Sequence, residues 1–237
     1  MSDSVSVIIP AYNEEKNIKT AVEKAVTTIS SVIDNYEIIV IDDGSTDKTY
    51  DVVKKLMMKK MMSKVRLVRH KKNWGLGYTL RDGIRLARKY YYAGYPGDYD
   101  TSEKLLRDLI ISRKDADLIS SYMTNSYVRF FLRRALSKCF VIVINLIFGL
   151  NLRYYNGYYL CRVSLLRLIP LRARGFSTFV EVKVLLLKRG ASVREIPFEH
   201  IHRRNNYRNR LIHRFIFCEY SLKAFFLSDS NHCLSNL

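Results

Sequence analysis

Apolar and polar positions follow two different periods along the first hundred residues. Short apolar runs, β-branched or aromatic, at residues 5–9, 37–41, 65–68 and 90–95 predict strands. Between them, apolar residues recur at helical spacing over about 14–33, 47–62 and 76–89. Strands alternating with helices imply βαβ crossovers and a mostly parallel sheet flanked by helices. In such a sheet ligands bind beyond the carboxyl ends of the strands. The chemistry is therefore expected at residues 10–13, 42–45 and 98–100, which are polar or acidic.

The second half has a different pattern. It predicts a helix over 101–113, a strand over 117–120 and a long cationic-then-apolar helix over 127–148. Extended segments at 153–161 and 191–197 flank a helix over 178–188. A basic stretch, 200–214, leads into an aromatic and cationic amphipathic helix, 211–227, and a polar tail. No tandem repeat or Pro/Gly/Ser-rich linker interrupts the chain, so one compact domain over 1–210 is expected, with 211–237 as an appended helix and tail. Within that domain, 1–100 and 101–210 form two halves of different pattern.

Charge changes the picture. Lys and Arg number 40 against 22 Asp and Glu, a net charge of +18. Residues 1–100 carry 17 basic and 13 acidic groups, whereas 101–237 carry 23 and 9, so the excess sits in the second half. Such a field implies an anionic partner: nucleotide phosphate, anionic lipid or nucleic acid. No apolar run reaches the roughly 18 residues of a membrane span. The nearest, 139–150, is interrupted by Asn145. It is either a buried core helix or a helix lying in the bilayer interface, with Arg129, Arg133, Arg134 and Lys138 leading into it. The four cysteines, at 139, 161, 218 and 233, have no close-pair spacing, which predicts reduced thiols in a cytosolic setting. The first residues lack the basic and cleavage features of a signal peptide. Met57, Met58, Met61 and Met62 are spaced like one helix face and read as core filler. The 17 tyrosines are scattered, as packing rather than base stacking would have them.

Three segments carry candidate chemistry. Asn13 can cap the helix that follows, with Glu14 and Glu15 complementing its dipole. Asp42 and Asp43 can accept hydrogen bonds from sugar hydroxyls or base N–H groups. A turn with a cap from Ser45 or Asp47 accounts for Gly44 but not for the acidic pair. Asp98 and Asp100, two residues apart beyond a strand, can converge on one hard cation.

Taken together, VSVIIPAYNEEKNI, EIIVIDDGSTDKT, NWGLGYTLRDGIRLA and GDYD resemble the family 2 glycosyltransferases of GT-A fold. Among these the chain is most similar to the polyprenyl (dolichyl) phosphate sugar transferases, over roughly residues 4–210. The resemblance implies an inverting hexosyltransferase that moves sugar from a GDP- or UDP-linked donor to a polyprenyl or dolichyl phosphate. It places Pro10, Tyr12, Glu14, Asp42 and Asp43 around the nucleotide, with Gly75 in the N-x-G-x-G segment near the donor. Asp98 and Asp100 take the position of a Mg²⁺ or Mn²⁺ site. Asp98, Arg129 and Arg133 are implied in catalysis, and Ser137 and Arg203 in holding substrate phosphate. Trp74 is either part of the donor segment or a core aromatic.

Some positions depart from the family pattern. Ser102 stands where many relatives have Gln, Arg153 replaces the usual acid, and Asn206, Arg208 and Arg210 occupy the place of a G-x-S-K segment. A phosphate acceptor needs little help from a base, whereas a sugar hydroxyl does. Glu181 is the candidate base for a family member that glycosylates a hydroxyl of a polysaccharide or glycolipid. A basic nucleic-acid- or membrane-binding protein without turnover is the alternative from another class. An acidic sheet mouth disfavours nucleic acid. The expected setting is peripheral, on the cytoplasmic face of an anionic membrane.

Overall fold

The computed structural model describes residues 3–125 and 131–199, with side chains from 134 onward in the second stretch. Fourteen elements follow one another along these residues. They are β1 (Val5–Ala11), α1 (Ile18–Ser30), β2 (Tyr36–Asp42), α2 (Thr49–Leu56), β3 (Val65–Arg69), α3 (Leu76–Leu86) and β4 (Tyr91–Gly94). Then come α4 (Glu103–Ile111), β5 (Leu118–Met123), α5 (Phe131–Phe148), β6 (Tyr159–Arg162), α6 (Val163–Arg167), α7 (Ser177–Lys188) and β7 (Val193–Phe198). The strands form one sheet in the order β3-β2-β1-β4-β6-β5-β7. It is mostly parallel, as the sequence predicts; only β6 runs against its neighbours β4 and β5.

β1 and β2 read as unbroken apolar runs because both faces of the sheet are covered. Val7, Ile9, Ile38 and Val40 pack under α1, α2 and α4. Ile8, Ile39 and Ile41 point the other way, against α3, α6 and α7. A third, smaller cluster joins Ile144 of α5 to Val180 and Val184 of α7. Asn145, the polar interruption in α5, folds the chain beyond the helix back onto it. Its amide accepts from Leu152 N (3.1 Å) and Tyr155 OH (2.7 Å) and donates to Leu152 O (2.9 Å). The helix is only partly a core helix. Ile144 is core, while Leu136, Ile142, Val143, Leu146 and Ile147 are exposed on the other side. Among the described residues no helix is long and apolar enough to cross a membrane.

Several boundaries differ from the sequence expectation. The helix over 47–62 stops at Leu56 and resumes only as a 3-10 turn, Lys60–Met62. Met57, Met58 and Met61 are consequently exposed and Met62 alone is buried. They are not core filler, because the helix face they would have shared ends before they begin. Of the extended segment 153–161 only the last residues, from Tyr159, pair as strand. α6, with just Val163 and Leu166 buried, is too short to leave a periodic signal. Cys161 is buried in β6, as expected of a strand residue. The predicted helix over 211–227 lies outside the described residues.

Candidate active site

The parallel order β2-β1-β4 brings the carboxyl ends of three strands together, and the loops leaving them interlock. Asn13 sits at φ 54°, in the left-handed region that Asn tolerates. Its N–H donates to Ser45 Oγ (2.9 Å), and its side-chain oxygen accepts from Thr46 N (2.9 Å). Glu14 N donates to Thr49 Oγ1 (2.8 Å) and Glu15 N to Asp47 Oδ2 (3.1 Å). Asn13 is therefore not the cap of α1, which starts at Ile18; it fastens the first loop to the second. Gly97 completes the join, since a Cβ there would stand 2.5 Å from Pro10 O.

Asp42, at the end of β2, is fully buried. Its Oδ1 accepts from Ser45 N (3.0 Å). Oδ2 lies 3.1 Å from Arg69 Nε but out of hydrogen-bond alignment, so that oxygen keeps unused acceptor capacity. Asp43 fastens the segment that follows β3. Its Oδ1 accepts from Trp74 N (3.0 Å) and meets His70 Nδ1 (2.7 Å), while Oδ2 accepts from Gly75 N (2.8 Å). His70 Nε2 in turn lies 3.4 Å from Asp82 Oδ2. Both oxygens of Asp43 are thus engaged in fixing the N-W-G-L-G segment. Trp74 is half exposed and stacks on Tyr78 at 5.4 Å, with Lys72 Nζ 4.4 Å above its ring, so it is not a core aromatic.

Gly75 and Gly77 of that segment pack closely against protein backbone. A Cβ on Gly77 would overlap Ala173 O and stand 2.6 Å from Arg174 C, and Gly77 N donates to Arg174 O (2.8 Å). The loop they receive is anchored from below by Glu181. Its Oε1 accepts from Arg172 N (2.8 Å) and Oε2 from Ala173 N (3.0 Å). Glu181 is buried, with both oxygens occupied. It is neither a surface carboxylate nor a base open to an acceptor.

Beyond β4, Asp98 and Asp100 are half-buried on either side of Tyr99. Tyr99 is held at φ 51°, which costs a bulky residue about 1–3 kcal/mol. Its ring is buried and its hydroxyl donates to Glu103 Oε2 (3.2 Å), itself paired with Lys24 (2.7 Å). Strain at Tyr99 thus presents two carboxylates at the sheet mouth. Their chemistry fits Mg²⁺ or Mn²⁺, which take one or two carboxylates and complete the shell with phosphate and water. Among the described residues no cluster of three or more His, Cys, Asp or Glu offers a closed metal cage.

The remaining expected residues are dispersed. Pro10 and the exposed Tyr12 leave β1 beside Asp42. Glu14 is buried and its Oε2 accepts from Asn17 Nδ2 (2.9 Å). Ser137 is on α5, which also includes Arg133, while Arg129 and Arg203 lie outside the described residues. Sequence reasoning missed His70 and Lys183. His70 directly follows a predicted strand, and Lys183 stands inside the apolar run VEVKVLLL; these were the available signals.

A sequence profile described as glycosyl transferase family 2 matches residues 6–138. The chain is 29% identical over 154 residues to a dodecaprenyl-phosphate galacturonate synthase of Rhizobium johnstonii, covering 64% of this chain and 45% of that protein. It is 36% identical over 117 residues to the dolichyl-phosphate β-glucosyltransferase of Homo sapiens, 44% of this chain and 36% of that one. It is 27% identical over 203 residues to a dolichol-phosphate mannosyltransferase of Pyrococcus furiosus, 82% of this chain and 55% of that one. The chain thus spans less than two thirds of each of these relatives. In three dimensions it is similar to glucosyl-3-phosphoglycerate synthase of Mycobacterium tuberculosis in complex with UDP. There the TM-score is 0.67 at 20% identity, covering 88% of this chain and 74% of that one. The same synthase in complex with Mn²⁺, UDP-glucose and phosphoglyceric acid gives a TM-score of 0.65 at 19% identity, over 86% and 72%.

Proposed function

The chain belongs to glycosyl transferase family 2, and from that premise we propose that it moves a hexose from a nucleotide diphosphate sugar to a polyprenyl phosphate at a membrane surface. The observation that carries the reading is the side-by-side parallel order of β2, β1 and β4, with Asp42 at the carboxyl end of β2 and Asp98 and Asp100 in the segment that follows β4. Pro10, Tyr12, Glu14 and Asp42 surround the base and ribose of a GDP- or UDP-linked donor. Asp43 and Gly75 act one step back, by fixing the backbone beside it. Asp98 and Asp100 hold a Mg²⁺ or Mn²⁺ ion, which when bound neutralises charge on the departing diphosphate.

Arg129, Arg133, Ser137 and Arg203 receive the acceptor phosphate, the planar guanidinium fork being suited to two phosphate oxygens at once. A phosphomonoester with a second pKa near 6 is largely ionised at neutral pH and attacks without a general base. Direct displacement then inverts the anomeric carbon. The engagement of Glu181 by two backbone N–H groups supports this acceptor over a sugar hydroxyl, which would need a free base. The exposed apolar side of α5 and the basic second half of the chain suit a peripheral position on the cytoplasmic face of an anionic membrane.

Calorimetric titration of UDP and GDP, each with and without Mn²⁺, tests the donor half. One nucleotide is expected to bind only with metal, and to stop binding in Asp98→Ala. Transfer of label from the matching nucleotide sugar to a polyprenyl phosphate tests the acceptor half. Failure of both nucleotides to bind under any metal condition would refute the proposal.

A further inference from the structure

Lys183 lies in the middle of α7 with no solvent exposure, among Val182, Val184 and Leu186. Its Nζ donates to Tyr154 O at 3.3 Å. From the opposite side Glu195 of β7 accepts from Arg153 N, at 3.0 Å through Oε1 and 3.3 Å through Oε2. Residues 153 and 154 are thus held at two successive points, the N–H of Arg153 by Glu195 and the carbonyl of Tyr154 by Lys183. Because β6 runs antiparallel to β4, the segment that feeds β6 reaches the sheet at the same end as the residues leaving β4. Residues 153–158 therefore stand at the mouth that holds Asp98, on the acceptor side. Arg153 extends from this segment over the Tyr122 ring, 4.8 Å away.

The arrangement is an expensive one. Burial pushes the Lys183 ammonium down to about 7, with Glu195 pulling the other way. Burial likewise raises Glu195, against the N–H of Arg153 and the charges of Lys183 and Arg153. Methionine has nearly the shape of lysine and would fill the same space without desolvating a charge.

We propose that Lys183 is a positioning residue for the acceptor side of the site. With Glu195 it clamps residues 153 and 154 and so fixes the segment 153–158, which carries Arg153. What the segment serves rests on the glycosyl-transfer reading above; the clamp itself does not.

Hydrogen-exchange mass spectrometry and thermal melts on the full chain, wild type against Lys183→Met, read the clamp directly. The variant leaves Tyr154 O without its donor and Glu195 without its neighbouring cation, so it is expected to melt no higher than wild type at pH 7 and to exchange the amides of residues 153–158 at least tenfold faster. Glu195→Gln, which weakens the other jaw, is expected to speed exchange in the same segment at least threefold. In steady-state transfer, Lys183→Met should raise the KM for polyprenyl phosphate with kcat and UDP or GDP affinity nearly unchanged. Unchanged exchange over 153–158 in both variants, or an unchanged KM for polyprenyl phosphate in Lys183→Met, overturns the proposal. If the wild type binds neither UDP nor GDP, the transfer reading fails while the exchange result still decides the clamp.

Discussion

Replacing Glu181 by Gln separates a carboxylate that holds a loop from one that takes a proton. The carboxylate accepts two backbone N–H bonds, 2.8 Å from Arg172 and 3.0 Å from Ala173, in a buried place. Gln keeps one neutral acceptor and turns an NH₂ group toward the other N–H. Losing one charge-assisted bond and leaving a buried donor facing a donor should cost about 2–4 kcal/mol. For a chain of this size each kcal/mol moves the melting temperature by roughly 2–4 °C, so Glu181→Gln should melt about 5–15 °C lower. Because the loop also receives Gly77 and, through it, the segment fixed by Asp43, nucleotide affinity should fall in parallel. Differential scanning calorimetry combined with UDP and GDP titration reads both effects. A variant that melted within a degree of wild type but had lost all transfer would refute the assignment and restore Glu181 as a base.

Two further substitutions probe the frame around the site. Gly77→Ala drives a methyl group into Ala173 O and should destabilise by about 2–4 kcal/mol in urea titration; a neutral result would mean the 172–175 loop is free to retreat. Glu37, buried in β2, accepts from Arg88 N (2.6 Å), Ser6 Oγ (2.7 Å) and Arg66 (2.8 Å). Burial raises its pKa, but those donors outweigh it and the net shift is downward. Its stabilisation is therefore complete above the ordinary carboxylate range and is lost as pH falls through the lowered folded value. Glu37→Gln should be about 2–4 kcal/mol less stable at pH 7, and urea titrations should show the gap to wild type closing toward pH 3; a gap that persists there would contradict the network.

The sheet was legible in the sequence because burial on both faces leaves long β-branched runs, as in VSVII and EIIVI. The acidic pairs were legible because strand ends are where an α/β sheet binds. What stayed hidden depends on partners far along the chain. Asn13 reads as a cap until Thr46 is brought beside it, 33 positions away. The glycines of N-W-G-L-G read as ligand-facing, since nothing local reveals that residues 173 and 174 fill the space. Glu181 and Lys183 carry the letters of a solvated helix face, and only the packing of α7 between the sheet and α5 buries them. The methionine run misled because helical spacing says nothing about where a helix stops.

The place of β6 in the sheet also bears on how the chain is made. β4 is complete at Gly94, but its outer neighbour begins at Tyr159, 65 residues later. At roughly 5–20 residues per second of synthesis, the backbone edge of β4 waits about 3–13 s for its partner. An unpaired strand edge of YYAG, aromatic and uncharged, is the kind of surface on which nascent chains pair with one another. Truncations that end between residues 94 and 159 should therefore accumulate as aggregates on ribosome release, and slowing translation across that interval should lower the yield of the whole chain.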